Sequence, residues 1–93
     1  MGEQTADIIG KVELENGDPL PMVVITAESE SLQGQRTAVS NEDGSFYLES
    51  LPPGWYVLTA TKSGMQTQKQ VLPLSAGEVS RPTIEMKAEG VVG

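Results

Sequence analysis

The 93-residue chain contains no histidine and no cysteine. These two absences remove Ser-His-Asp and Cys-His catalysis, thiol redox chemistry, disulfides, and zinc, haem or iron–sulfur centres of the usual ligand sets. Aromatic residues are scarce, at 4% with a single Trp. Bases are outnumbered: six Lys and Arg against thirteen Asp and Glu give a formal charge of -7. Nucleic acid and anionic membranes both require a cationic footprint, so neither is expected as a partner. Long apolar runs are missing as well. The longest near the start is Met22-Val23-Val24-Ile25, too short for a signal peptide or a membrane helix. Met1-Gly2 opens like a myristoylation signal, but Ala6 stands where Ser or Thr is required. A chain of this length forms one domain. It buries about 60–65% of the surface its unfolded form exposes, enough for one modest core and no deep cleft.

What is present is strand periodicity. Ile8, Gly10, Val12 and Leu14 alternate with Ile9, Lys11, Glu13 and Glu15; Val23, Ile25 and Ala27 alternate with Val24, Thr26 and Glu28. Phe46 and Leu48 alternate with Tyr47 and Glu49, and Tyr56, Leu58 and Ala60 alternate with Trp55, Val57 and Thr59. Ile84 and Met86 close the series. No stretch keeps apolar residues at helical spacing between caps, so no helix is predicted. Turn residues separate the runs: Asn16-Gly17-Asp18-Pro19, the polar link Glu30 to Gly34, Asn41-Glu42-Asp43-Gly44 as a hairpin, the stiff corner Leu51-Pro52-Pro53-Gly54, Ser63-Gly64, and Ser75-Ala76-Gly77. The pattern predicts an all-β, seven-stranded Greek-key sandwich, with strands at roughly 7–14, 22–29, 35–40, 45–49, 55–62, 68–74 and 79–87. Pro73 and Pro82 cannot donate to a ladder and belong at strand ends or on edge strands. The expected core is Ile8, Val12, Val23, Ile25, Phe46, Leu48, Leu51, Tyr56, Leu58, Ala60, Val71, Ile84 and Met86. Residues 1–6 read as a disordered or expression-derived start, 7–88 as the folded domain, and 89–93 as a tail or linker.

Ordered along the chain, several of these pieces resemble a known family. They are Gly10-Lys-Val, Gly17-Asp-Pro-Leu-Pro-Met-Val-Val-Ile-Thr-Ala, Arg36-Thr-Ala-Val-Ser-Asn-Glu-Asp-Gly-Ser-Phe, Leu51-Pro-Pro-Gly-Trp-Tyr-Val-Leu-Thr-Ala and Lys62-Ser-Gly. The set is similar to the carboxypeptidase regulatory-like domain, over about residues 7–87. That resemblance implies a prealbumin-like (transthyretin-like) β-sandwich related to Cna protein B-type repeats. The stretch from Ser29 to Gly44 also resembles the version at the N-terminus of TonB-dependent outer-membrane receptors. What the resemblance implies is an extracytoplasmic accessory module beside a catalytic, transport or adhesive domain. Related folds with chemistry of their own differ here. Transthyretin-like hydrolases of ureides use His and a C-terminal Tyr-Arg-Gly-Ser segment, both absent. Cna B-type repeats with an internal isopeptide bond need an Asn on the last strand, whereas Asn16 and Asn41 lie elsewhere and Lys11 falls on a polar face.

Individual motifs add little chemistry. Asn41 to Ser45 has the acids and Gly of a cation loop, but Gly44 is fourth rather than sixth and no helices flank it, so a turn is expected and no metal site. Leu51-Pro52-Pro53-Gly54 has too few prolines for a polyproline ligand. Glu13 with Glu15, and Glu28 with Glu30, are paired carboxylates without the cleft that glycoside hydrolysis needs. One feature stands outside the fold. If Tyr56 and Leu58 point inward, Met22, Val24, Tyr47, Trp55 and Val57 point outward. Trp, Tyr and Met are enriched at interface cores. These five residues are therefore the expected interface to neighbouring domains of a longer parent protein, unless Trp55 folds over a sheet edge. The expected function is a non-catalytic accessory or spacer module, monomeric in isolation, without cofactor, in an extracytoplasmic parent chain that carries any targeting signal. The alternative is a carbohydrate-binding module with Trp55 and Tyr47 as its stacking platform.

Overall fold

The computed structural model describes residues 4–89. Among the described residues every regular element is a strand: β1 (Ala6–Leu14), β2 (Val24–Glu28), β3 (Gln35–Val39), β4 (Ser45–Leu51), β5 (Gly54–Thr61), β6 (Gln68–Leu74), β7 (Val79–Ser80) and β8 (Thr83–Met86). They form two sheets. In the first, β1 has antiparallel β4 on one side and, on the other, β7 followed by β8, both parallel to it. The second runs β3-β2-β5-β6 and is antiparallel throughout. The two inner faces meet through Ile8, Val12, Phe46, Leu48 and Met86 from one sheet and Ile25, Tyr56, Leu58, Leu72 and Leu74 from the other, all buried. The molecule is thus the expected all-β Greek-key sandwich of prealbumin type, with eight strands rather than seven.

The extra strand comes from Pro82. The final run, expected to be continuous over 79–87, breaks at Arg81-Pro82 because proline has no N–H for the ladder. The proline still accepts, its carbonyl taking the Lys11 N–H at 3.0 Å, and β8 resumes pairing with β1 at Lys11↔Thr83. Pro73 lies within β6, an edge strand, as its missing donor requires. β1 begins at Ala6, which is buried, one residue before the start expected for the first strand. Of the predicted tail only Glu89 is described; residues 1–3 and 90–93 lie outside the described residues.

Two further expectations change. Val71, placed in the core by its apolar character, is 62% exposed, while its neighbours Leu72 and Leu74 are buried. Pairing of β6 on β5 sets Leu72 opposite Tyr56 and Val71 opposite Val57, and a strand cannot send adjacent side chains to one face. The turn at Asn41-Glu42-Asp43-Gly44 exists but is not a ladder hairpin, because β3 and β4 lie in different sheets. Its geometry is local: Gly44 adopts φ 81°, Gly44 N–H donates to the Asn41 carbonyl at 2.8 Å, and the Asp43 carboxylate accepts from Ser45 N–H at 3.0 Å and from the Ser45 hydroxyl. The Ser45 hydroxyl is the main reason the Asp43 carboxyl is held below its ordinary value.

Close packing dictates two other residues. Gly10 faces Phe46 across the β1–β4 ladder, and a Cβ at residue 10 would stand 2.6 Å from the ring's Cε1. Ser40 is a buried polar residue near the start of β2. Its hydroxyl donates to the Leu20 carbonyl at 2.8 Å and accepts from Val23 N–H at 2.9 Å. This side chain stands in for the ladder where the chain turns through Met22, at φ 63°, so β2 begins at Val24 rather than at 22.

Candidate docking surface

The Leu51-Pro52-Pro53-Gly54 corner carries the chain from β4 in one sheet to β5 in the other. It is fastened by Tyr56, whose hydroxyl donates to the Pro52 carbonyl at 2.6 Å while its ring is fully buried. Burial pushes the Tyr56 phenol above its ordinary pKa, and the nearby Arg36 charge opposes this. With Tyr56 turned inward, strand alternation sends Trp55 and Val57 to the outer face of the second sheet. Trp55 is 68% exposed. It does not fold over a sheet edge; it stands on the face opposite Pro73, as Val57 stands opposite Val71. Directly opposed residues have Cβ atoms about 4.5–5.5 Å apart, so these four side chains form one continuous apolar patch.

Beside the patch lies an open depression of about 600 Å³, lined by Glu28 to Ser31, Gly34, Trp55 and Val57. Its far wall is the β2–β3 connection. Leu32 packs against the core, Leu32 N–H donates to the Ser29 carbonyl at 3.1 Å, and Ser31 N–H donates to Ser29 Oγ at 3.2 Å. The connection seats over Gly54, where a Cβ would lie 3.2 Å from Ser31 Cβ and 3.5 Å from Ser29 Oγ. Glycine at residue 54 therefore lets the loop close on the strand that carries Trp55. Glu28, at the end of β2 and opposite Val57, and Glu30, in the connection, are both exposed along this side of the depression.

The other expected interface residues are dispersed. Val24 is opposite Thr61, at the other end of the same face. Thr61 lies four positions along the strand from Val57, roughly 13 Å, and the threonines Thr26, Thr37 and Thr59 form a polar band between. Met22 is exposed beyond that end. Tyr47 is in the first sheet opposite Ile9 and faces the outer side of that sheet. It lines a separate depression of about 360 Å³ with Lys11, Arg81 and Thr83. Trp55 and Tyr47 hence lie on opposite outer faces of the sandwich and cannot form one stacking platform. Conversely, Val71, Pro73, Glu28 and Glu30 belong to the Trp55 surface and were not assigned to it from sequence. The alternation of Val71 and Pro73 around Leu72 was the available signal for two of them. Among the described residues, no group of three or more Asp, Glu, His or Cys is arranged to hold a metal ion.

Comparison with known proteins agrees with this architecture. The TonB-dependent transporter Oar of Myxococcus xanthus is 31% identical over 90 residues, an alignment covering 95% of this chain and 8% of that protein. The chain thus spans less than a tenth of this relative's length. Among solved structures, the minor pilin of Streptococcus agalactiae superposes with a TM-score of 0.79 at 18% identity, over 98% of this chain and 48% of the pilin. A 3-chlorocatechol 1,2-dioxygenase from Rhodococcus opacus gives 0.76 at 12% identity, over 95% of this chain and 62% of the enzyme. At these identities both show the fold alone. The family model of the carboxypeptidase regulatory-like domain matches residues 7–87, and the chain belongs to that family.

Proposed function

We propose that this chain is a non-catalytic accessory module of a larger extracytoplasmic protein, working by contact with a neighbouring domain through the outer face of its second sheet. The observation that carries the proposal is the patch of Trp55, Pro73, Val57 and Val71, which is apolar, continuous and outside the domain's own core. A small domain gains little by leaving its only Trp on a solvated sheet face, whereas a desolvated Trp is a frequent anchor of protein interfaces. The alignment with a fraction of a TonB-dependent transporter supports a setting within a longer chain and an extracytoplasmic one.

Substitution of Trp55 tests this reading. About a third of the side chain is covered within the domain. For a side chain of about 250 Å² that is ~80 Å², or at most about 2 kcal/mol of folding stability. Trp55→Ala is expected to cost the isolated domain less than Tyr56→Ala, which empties a core site at about 3–5 kcal/mol. In the parent chain the same Trp55→Ala should release the domain from its neighbour, read as new protease sensitivity at the junction. Equal destabilisation by the two variants, or unchanged junction protection, would refute the proposal.

A further inference from the structure

The patch and the depression are contiguous, since Trp55 and Val57 belong to both. One side is apolar. The other presents two carboxylates, Glu28 and Glu30, both exposed and beside the face that carries the indole. The one guanidinium on the neighbouring strand is directed away from this wall: Arg36 donates to the carbonyl of Glu49, a residue of the other sheet, at 3.1 Å. Val71 and Pro73 add no charge, and the cation of β6, Lys69, is opposite Thr59, two positions farther along the strand. An uncompensated anionic wall next to an exposed indole attracts a cation for two separate reasons. Carboxylates attract it as charges, and the ring quadrupole attracts it over its face.

We infer that this site seats a Lys or Arg side chain from an extended segment of the partner protein, with an apolar residue two positions along the segment resting on Val57, Val71 and Pro73. The spacing follows from strand geometry. Residues i and i+2 of an extended segment share a face about 6.6 Å apart, the same interval that separates Trp55 from Val57 on β5. Complementary charge favours a cationic segment over a neutral one, and it opposes acidic partners, which the chain's net charge of -7 already repels. This inference rests on the docking face proposed above and specifies its partner.

The experiment uses the domain itself and two capped pentapeptides, Ser-Arg-Ser-Val-Ser and its Gln analogue, titrated against Trp55 fluorescence, which has a single source. The Arg peptide is expected to bind about tenfold more tightly than the Gln peptide, combining an exposed cation–π contact with weak surface ion pairs. That preference should fall severalfold in the Glu28→Gln/Glu30→Gln double variant, leaving the cation–π share, and shrink as ionic strength rises from about 0.01 M to about 1 M. Both Glu side chains are exposed, so the variant should keep the wild-type circular dichroism and melting temperature, and Trp55 remains as reporter. Equal affinity of the wild type for the two peptides, or a preference undiminished in the double variant, would overturn this cation seat while leaving the docking face standing. A silent Trp55 with both peptides would overturn it too, as would tighter binding of a cello-oligosaccharide than of the Arg peptide. The docking face is decided separately by junction protection in Trp55→Ala.

Discussion

Replacing Gly10 with alanine should reverse in sign according to what stands at residue 46. In a strand, exchanging Gly for Ala ordinarily stabilises by about 0.4–1 kcal/mol, because the unfolded chain loses conformational freedom. Here the new Cβ would stand 2.6 Å from Cε1 and 3.0 Å from Cε2 of Phe46. Phe46 is fully buried between the sheets, so its ring cannot swing into solvent to relieve the clash. Overpacking of this kind costs about 1–3 kcal/mol. For a domain of this size that lowers the melting temperature by about 4–8 °C per kcal/mol. Phe46→Leu alone should also destabilise by leaving space beneath Gly10. Adding Gly10→Ala to Phe46→Leu should then recover stability, giving a coupling energy of about 1.5–4 kcal/mol. Urea unfolding followed by far-UV circular dichroism measures all four corners of the cycle; Trp55, being exposed, is a poor folding probe. A wild-type midpoint unmoved by Gly10→Ala, or the same sign in both backgrounds, would refute the packing argument.

Ser40→Ala should cost about 1–3 kcal/mol in the same urea assay, because it strands the Val23 N–H, which the Ser40 hydroxyl satisfies in a buried setting; a loss below about 0.5 kcal/mol would contradict that role. Tyr56→Phe should lower stability by about 1–2 kcal/mol through loss of the bond to the Pro52 carbonyl. Since burial raises the Tyr56 pKa in the folded state, its contribution is whole below the unfolded value of 10.0 and is lost as pH rises through the folded one, so Tyr56→Phe should flatten the alkaline arm of the stability profile. Asp43 has the opposite sign. Its folded pKa lies below 3.8, so its contribution is present above 3.8 and fades as pH falls through the folded value. The stability gap between wild type and Asp43→Ala should therefore be constant at neutral pH and narrow only in acid; a gap that narrows near pH 6 would implicate another group.

Local order in this chain was legible because it depends on neighbours in sequence. Alternation at period two identified the strands and the inward positions of Ile8, Val12, Ile25, Phe46, Tyr56, Leu58, Ile84 and Met86, and glycine, asparagine and proline marked the turns between them. The missing N–H of Pro82 was visible too, though its consequence, a split into β7 and β8, depended on β1 lying beside it. Long-range pairing settled the rest. Val71 and Leu72 are equally apolar, and only the register of β6 on β5 determines which one is inside. The turn chemistry of Asn41 to Gly44 is the same whether the flanking strands share a sheet or part, and tertiary packing parted them. The docking surface shows the division most plainly. The sequence marked Trp55 and Val57 as outward, but it could not tell that Tyr47 faces the opposite side or that Val24 lies at the far end. Nor could it tell that β2 pairs with β5 to set Glu28 opposite Val57, or that the loop from Ser29 to Gly34 closes over Gly54 to bring Glu30 to the same depression. Periodicity is a property of one strand, whereas a surface is a property of which strands pair and in what register.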